Sequence, residues 1–361
     1  MPTIWCAISG HGYGHAAQVV PVLNALHSLA PDLLAILRTT VPRAFFQDRL
    51  KGRWECQDIQ QDVGCIQDGP LTVDVPATWA AHQQFHASWG ERLATEVAAM
   101  QQAQPGLILS DTSYLALAAG AKAALPTVAM ASLTWDDVLD SYRTPMDSFQ
   151  QELIANIRQA YAQADLALRI APGLAMSAFR QIRDIGPIAS PVPSQRETLR
   201  TMIGLAPQER LVLVGFGGIP LRRLPWDQMN AMSSFRFVVD GPVESGYSRI
   251  VSLQNLPFRF GTLLASVDLV MTKPGYGTVI DCVASQIPLV YIRRYNFADE
   301  PLLVDYIARY GRGVELAMDD FHSGTWQRSL EQALSLPLPP ETPPAPTGAD
   351  EAARLLAPLL A

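Results

Sequence analysis

The sequence predicts an α/β protein made of two doubly wound parallel-sheet domains that face each other across a cleft. Three observations carry that prediction. Short, continuously apolar runs of the kind a buried parallel strand needs recur along the chain, each followed by a segment with apolar residues at helical spacing. That rhythm stops near residue 171 and starts again near residue 210. The chain has 361 residues, of which 48% are apolar and 17% charged, enough for two domains of ordinary size with full cores.

In chain order, TIWCAIS is the first strand and AQVVPVLNALHSL the first helix. LLAILRTT and GLILSD read as strands, LALAAGAKAAL as a helix of small residues, and PTVAMAS as a further buried strand. The stretch 171–194 is richer in proline and lacks the alternation, so it reads as the hinge. LVLVGFGG, FRFVVDGP, LVMTKPG and PLVYIRR then give the strands of a second sheet. LPLPPETPPAPTG is a proline-rich connector before a last helix, DEAARLLAPLLA. The expected division is 1–185 for the first domain and 186–345 for the second, with 346–361 a helix that packs back on the first. Ligands of such folds bind at the carboxyl ends of the strands.

Composition excludes several classes. A formal charge of −7, from 27 basic and 34 acidic residues without long like-charge blocks, is not that of a nucleic-acid binder. Cys6, Cys56, Cys65 and Cys282 are scattered without a CxxC pair, which predicts free thiols in a reducing compartment and no zinc site. The start MPTIWCAISG is too short and lacks the basic residues of a signal peptide, and no 18-residue apolar run occurs. A cytoplasmic protein, monomeric or dimeric and without a transmembrane segment, is expected.

Between the first strand and helix stands SGHGYGHAAQ, with Gly12 and Gly14 spacing His11 and His15. Backbone amides at a helix start favour an anion. The pattern is not the dinucleotide GxGxxG, and the next strand ends in Arg38 rather than an acidic residue. A tight turn would explain one histidine; two among three glycines favour a functional role. In the second half, TKPGYGTVID brings Lys273, Gly275, Gly277 and Thr278 to a strand end and helix start, an arrangement suited to phosphate oxygens. Asp281, one turn further, is placed for ribose hydroxyls or on a solvated face. Asp299 and Glu300, after the next strand, can accept from sugar hydroxyls.

Those segments resemble GT-B glycosyltransferases of the MurG kind, and still more the N-terminal, glycosyltransferase-like half of plant L-arabinokinases. The similarity lies in SGHGYGHA (9–16), VGCIQDGPLTVD (63–74), LTWDDVLDSY (133–142), FGG (216–218) and KPGYGTVID…YIRRYNFADEPLL (273–303), in that order. No kinase phosphate loop occurs in these residues, so arabinose phosphorylation is not expected. The resemblance implies a nucleotide-sugar donor, UDP-linked, as substrate with no cofactor. It implies Gly217 and Gly218 near the diphosphate and Phe258 near the base. Gly275, Gly277 and Thr278 are implied at phosphate, Asp281 at ribose, Asp299 and Glu300 at the donor sugar, and Gly12, Gly14 and Arg294 among the residues that hold the nucleotide sugar. MurG-like proteins carry Glu where Asp281 stands, one methylene longer.

His15 is implied as the base that takes the acceptor's proton, with Lys273 receiving the leaving charge. His11 shares that work or meets phosphate. Asp111 and Asp136, at strand ends, orient the histidine or bind the acceptor; Asp111 could instead cap the helix from Thr112. No DxD sequence occurs, so no metal is implied. A hydrolase using water as acceptor, or a non-catalytic nucleotide-sugar-binding module, is compatible with the same residues. HQQFH (82–86) reads as ordinary helix surface, its Gln83 standing where a metalloprotease needs Glu. VPRAFFQDRLKGRW (41–54) reads as a solvated basic helix with a buried aromatic face, or as a peripheral membrane contact for a lipid-linked acceptor.

Overall fold

A computed structural model describes residues 1–142, 147–190, 192–218, 221 and 223–360. Residue 191 of the expected hinge lies outside that set. The first sheet holds seven parallel strands: β1 (Thr3–Ile8), β2 (Leu34–Thr39), β3 (Arg53–Asp58), β4 (Leu107–Asp111), β5 (Thr127–Ala131), β6 (Leu166–Ile170) and β7 (Ile182–Ile185). Their order across the sheet is β3-β2-β1-β4-β5-β6-β7. The second holds β8 (Arg210–Val214), β9 (Phe235–Val239), β10 (Ile250–Ser252), β11 (Leu269–Thr272), β12 (Leu289–Tyr291) and β13 (Gly313–Glu315), in the order β10-β9-β8-β11-β12-β13. Both orders reverse direction once, at β1/β4 and at β8/β11. Those two points are where a doubly wound sheet opens a crevice.

The buried strands carry the register. β4 and β5 are buried at every residue, as a strand covered by helices on both faces must be. β3 and β7 were hidden because they are edge strands: their residues are largely exposed and polar, so no apolar run marks them. β7 falls inside the stretch expected to be hinge, which shortens the hinge to the residues after Ile185. The expected basic helix over 41–54 is likewise corrected. Helix covers only Arg43–Gln47, and Arg53 and Trp54 begin β3, with Arg43 stacked over the Trp54 ring.

The helix Gly348–Leu356 leaves the second sheet and packs along the helix Gly14–Leu29 of the first domain. Its first residue sits against the chain just after β7: a Cβ on Gly348 would stand 2.0 Å from the Gly186 carbonyl, so that position admits nothing larger than glycine. Among the described residues no helix is long and apolar enough to cross a membrane.

Candidate active site

Four of the sequence's signals sit at the switch points. The GHGYGH loop follows β1, Asp111 ends β4, the FGG loop follows β8, and TKPGYG follows β11. The loops of the two domains touch. Gly12 and Gly218 both have left-handed backbone, at φ +74° and +80°, and a Cβ on Gly218 would stand 2.4 Å from the Tyr13 ring. Neither position tolerates a side chain without strain. The helices Gly14–Leu29 and Tyr276–Ala284 start at Tyr13 and Gly275 without a side-chain cap, so their first amides are free for an anion. No atom lies within 4 Å of a Cβ built on Gly14, Gly217 or Gly277, and Thr278 is half-buried in the first turn of its helix.

His15 is buried, 8% exposed, and its Nδ1 lies 3.1 Å from Oδ1 of the fully buried Asp111. Among the described residues its Nε2 has no hydrogen-bond partner. Burial pulls His15 toward the neutral form. The charge and hydrogen bond of Asp111, with Asp62 and Asp299 behind it, outweigh that and hold its pKa above the ordinary histidine value. Asp111 does not cap the following helix; Ser113 does, accepting from the Ala116 N–H.

His11 is built differently. The Cys65 N–H donates to its Nδ1 at 3.3 Å, which puts the ring proton on Nε2. The Gln67 amide lies 2.9 Å from that nitrogen, and turning it over gives its otherwise unpartnered oxygen the Nε2 proton. Burial, then His15, Lys273 and Arg294, hold the His11 pKa well below the ordinary value. Both its ring nitrogens are engaged, so it has no free lone pair for a substrate proton.

Asp62 is the residue the sequence reading missed. It accepts from the Ser9 hydroxyl at 2.9 Å and from the Trp135 indole N–H at 2.9 Å, and burial pushes its pKa up to about 6. Trp135 stands 5.8 Å from the His15 ring and 5.3 Å from the His11 ring. The one available signal was position: Asp62 immediately precedes the 63–74 motif.

The second domain brings cations. Lys273, at the end of β11, makes no ion pair among the described residues; burial and the charge of Arg294 push its pKa down to about 7. The Arg294 guanidinium lies over the Phe297 ring at 3.9 Å, and Phe297 stacks on His11 and packs within the apolar core of the first domain. Asp299 is buried with Oδ1 unpartnered, and burial raises its pKa to about 6.

Four expectations need correction. Glu300 is fully buried and spends both oxygens on the Arg294 N–H, the Arg294 Nε and the Tyr295 N–H, so it shapes the loop instead of meeting sugar hydroxyls. Asp136 is not drawn to His15; it accepts from Arg158 Nε at 3.0 Å. Asp281 is no solvated carboxylate. It accepts from the Ser190 N–H of the linker at 3.0 Å, and burial raises its pKa to about 6. His82 is not surface but fully buried, its Nε2 3.0 Å from the Gly64 carbonyl, while His86 packs against both Trp89 and Tyr114. Phe258 is half-buried against the core beside its loop.

No family model matches the chain. It is 26% identical over 338 residues to an L-arabinokinase of Arabidopsis thaliana, covering 91% of this chain and 32% of that protein. It therefore spans about a third of the length of the curated relative it matches. Similar solved structures include the calicheamicin glycosyltransferase, with a TM-score of 0.61 at 14% identity over 100% of this chain and 94% of that one. A UDP-glucosyltransferase from Polygonum tinctorium that glucosylates indoxyl matches with a TM-score of 0.62 at 13% identity over 99% and 98%. A glycosyltransferase solved with dTDP matches with a TM-score of 0.58 at 15% identity over 99% and 95%. With two parallel-sheet domains meeting at their switch-point loops, and glycosyltransferases of that architecture matching end to end, this chain has the GT-B glycosyltransferase fold.

Proposed function

We propose that the protein is a metal-independent glycosyltransferase that moves a sugar from a nucleotide sugar, UDP-linked, to an acceptor hydroxyl, with His15 as general base. The observation that carries this reading is the buried His15–Asp111 pair at the first switch point, with Lys273, which makes no ion pair among the described residues, at the second. Asp111 holds the Nδ1 proton, which leaves Nε2 as the base. The acceptor oxygen forms a bond to the anomeric carbon as the bond from that carbon to phosphate breaks. The acceptor proton passes to Nε2, and the electron pair leaves with the nucleoside diphosphate.

Lys273, the free amides of both helix starts and the left-handed glycines at 12, 217 and 218 receive that negative charge. Asp299, whose Oδ1 lacks a partner, is the carboxylate of its pair free to accept from the donor sugar. Supporting the reading, the matched solved structures include a UDP-glucosyltransferase and a complex with dTDP. The absence of any DxD sequence supports metal independence.

The test is a thermal-shift screen of the intact chain against nucleotides and nucleotide sugars. A ligand at a hundred times its dissociation constant adds about 2.7 kcal/mol, a visible rise in midpoint. A shift confined to one nucleoside diphosphate family identifies the base. No shift with any nucleotide sugar overturns the proposal.

A further inference from the structure

The side of the reaction centre that faces away from the cations has a chemistry of its own. Gln18 lies one helical turn beyond His15, on the same face of its helix. It is 4% exposed, donates through Nε2 to the Ser132 hydroxyl at 3.3 Å, and keeps a buried Oε1 with no partner among the described residues. Asp111 uses Oδ1 on His15, and its Oδ2 is likewise buried and unpartnered. A buried polar atom left without a hydrogen bond costs about 1–3 kcal/mol, so two of them beside one histidine call for a ligand that brings donors.

The Trp135 ring stands 5.8 Å from the His15 ring, its indole N–H already fixed by Asp62. Charge narrows the ligand further. His15 feels Asp62, Asp111 and Asp299, whereas Lys273 and Arg294 act on His11. A carboxylate or phosphate on the acceptor would meet repulsion from three carboxylates. A flat apolar acceptor would leave both orphaned oxygens unsatisfied.

Resting on the transferase reading above, we infer that the acceptor is a small, neutral, polyhydroxylated molecule, a free sugar or polyol, seated against Trp135 with hydroxyls donating to Gln18 and Asp111. One of its remaining hydroxyls lies at His15 Nε2 and is the one glycosylated.

The experiment uses the intact chain with UDP-glucose, UDP-galactose and UDP-arabinose as donors. Nucleotide release is followed with free hexoses, pentoses and inositol, with the matching sugar phosphates, and with flat phenols. Neutral sugars or inositol should accelerate release at least about tenfold over the other two classes, the discrimination expected where buried acceptors need donors. Gln18→Leu should raise KM for the sugar acceptor about tenfold with a smaller effect on kcat. Gln18→Glu, which keeps an acceptor oxygen, should restore part of that loss. Preferred transfer to a phenol or a sugar phosphate overturns the inference, as does an unchanged acceptor KM in Gln18→Leu. A donor thermal shift with no response to any sugar or polyol overturns the acceptor class alone. No donor shift at all overturns the transferase reading with it.

Discussion

The two switch points of this molecule share a backbone plan and differ in charge. Each has a strand end, a glycine loop and a helix whose first turn lacks a side-chain cap. At the first, His15 is held by Asp111 with Asp62 behind it; at the second, Lys273 feels the Arg294 charge and makes no ion pair among the described residues. On the proposed reading one plan serves two tasks, proton removal on one side and anion holding on the other, and the side chains decide which. The cost is visible on both sides, since Asp62 and Asp299 are pushed up and Lys273 down by burial.

The sharpest way to break that comparison is to remove the base. His15→Ala should lower kcat by about 10²–10⁴ while nucleotide affinity, read by thermal shift, stays close to wild type. Equal loss of both would mean the two switch points do not divide the labour. Asp111→Asn should have the next largest effect, about tenfold to a hundredfold in kcat, because it frees the imidazole to take the wrong tautomer. Its pH profile sharpens the point. As a base His15 works neutral, so activity should rise with pH through a pKa above the ordinary value. Without the Asp111 charge, burial pulls that pKa down, and the acid limb of kcat/KM should move to lower pH even as the rate falls.

On the other side, Lys273→Met should weaken nucleotide diphosphate binding about tenfold to a hundredfold, the worth of one charge-assisted hydrogen bond. The lysine is poised near neutrality, with its pKa lowered to about 7. Its charge, and with it the affinity, should therefore decline as pH rises through about 7, and binding above that should take up protons. Calorimetry in two buffers of different ionisation enthalpy measures the uptake; Lys273→Met should abolish it. Proton uptake unchanged in that variant would place the anion elsewhere.

The two halves were also unequally legible. The apolar strands and the three glycine-bearing switch-point loops could be read because parallel-sheet burial writes continuous apolar runs, and a helix start after such a strand writes its own loop. β3 and β7 could not, since an edge strand has one solvated side and RWECQD carries little apolar signal. In the site, His15, Asp111 and Lys273 stand at strand ends that the rhythm already marks. Asp62 lies in an irregular segment, and only the fold brings it under Trp135. Glu300 looked free because sequence shows a carboxylate after a strand but not the loop amides folded around it. Asp136 failed for the same reason, its partner Arg158 being twenty-two residues away on another helix.

Asp281 gives the smallest expected effect and the finest comparison between the domains. Its carboxylate lies in the helix that begins at the TKPGYG loop, yet it accepts from the Ser190 N–H in the linker. In the same helix, the Tyr276 hydroxyl donates to the Ala171 carbonyl at 2.7 Å and accepts from the Ile188 N–H at 3.2 Å. The helix that would receive phosphate is therefore fastened to the linker at Ile188 and Ser190 and to the first domain at Ala171. Asp281→Ala should cost about 1–2 kcal/mol of stability, one partly buried backbone bond, and lower the melting midpoint accordingly. Because burial holds this carboxyl near 6, above its unfolded value, the folded state binds its proton more tightly. That contribution to stability is present at low pH and is lost as pH rises through about 6. The midpoint difference between wild type and Asp281→Asn should accordingly grow toward neutral pH in favour of the amide. If Asp281→Ala instead weakens nucleotide binding with no loss of stability, the carboxylate serves ribose and the linker bond is secondary.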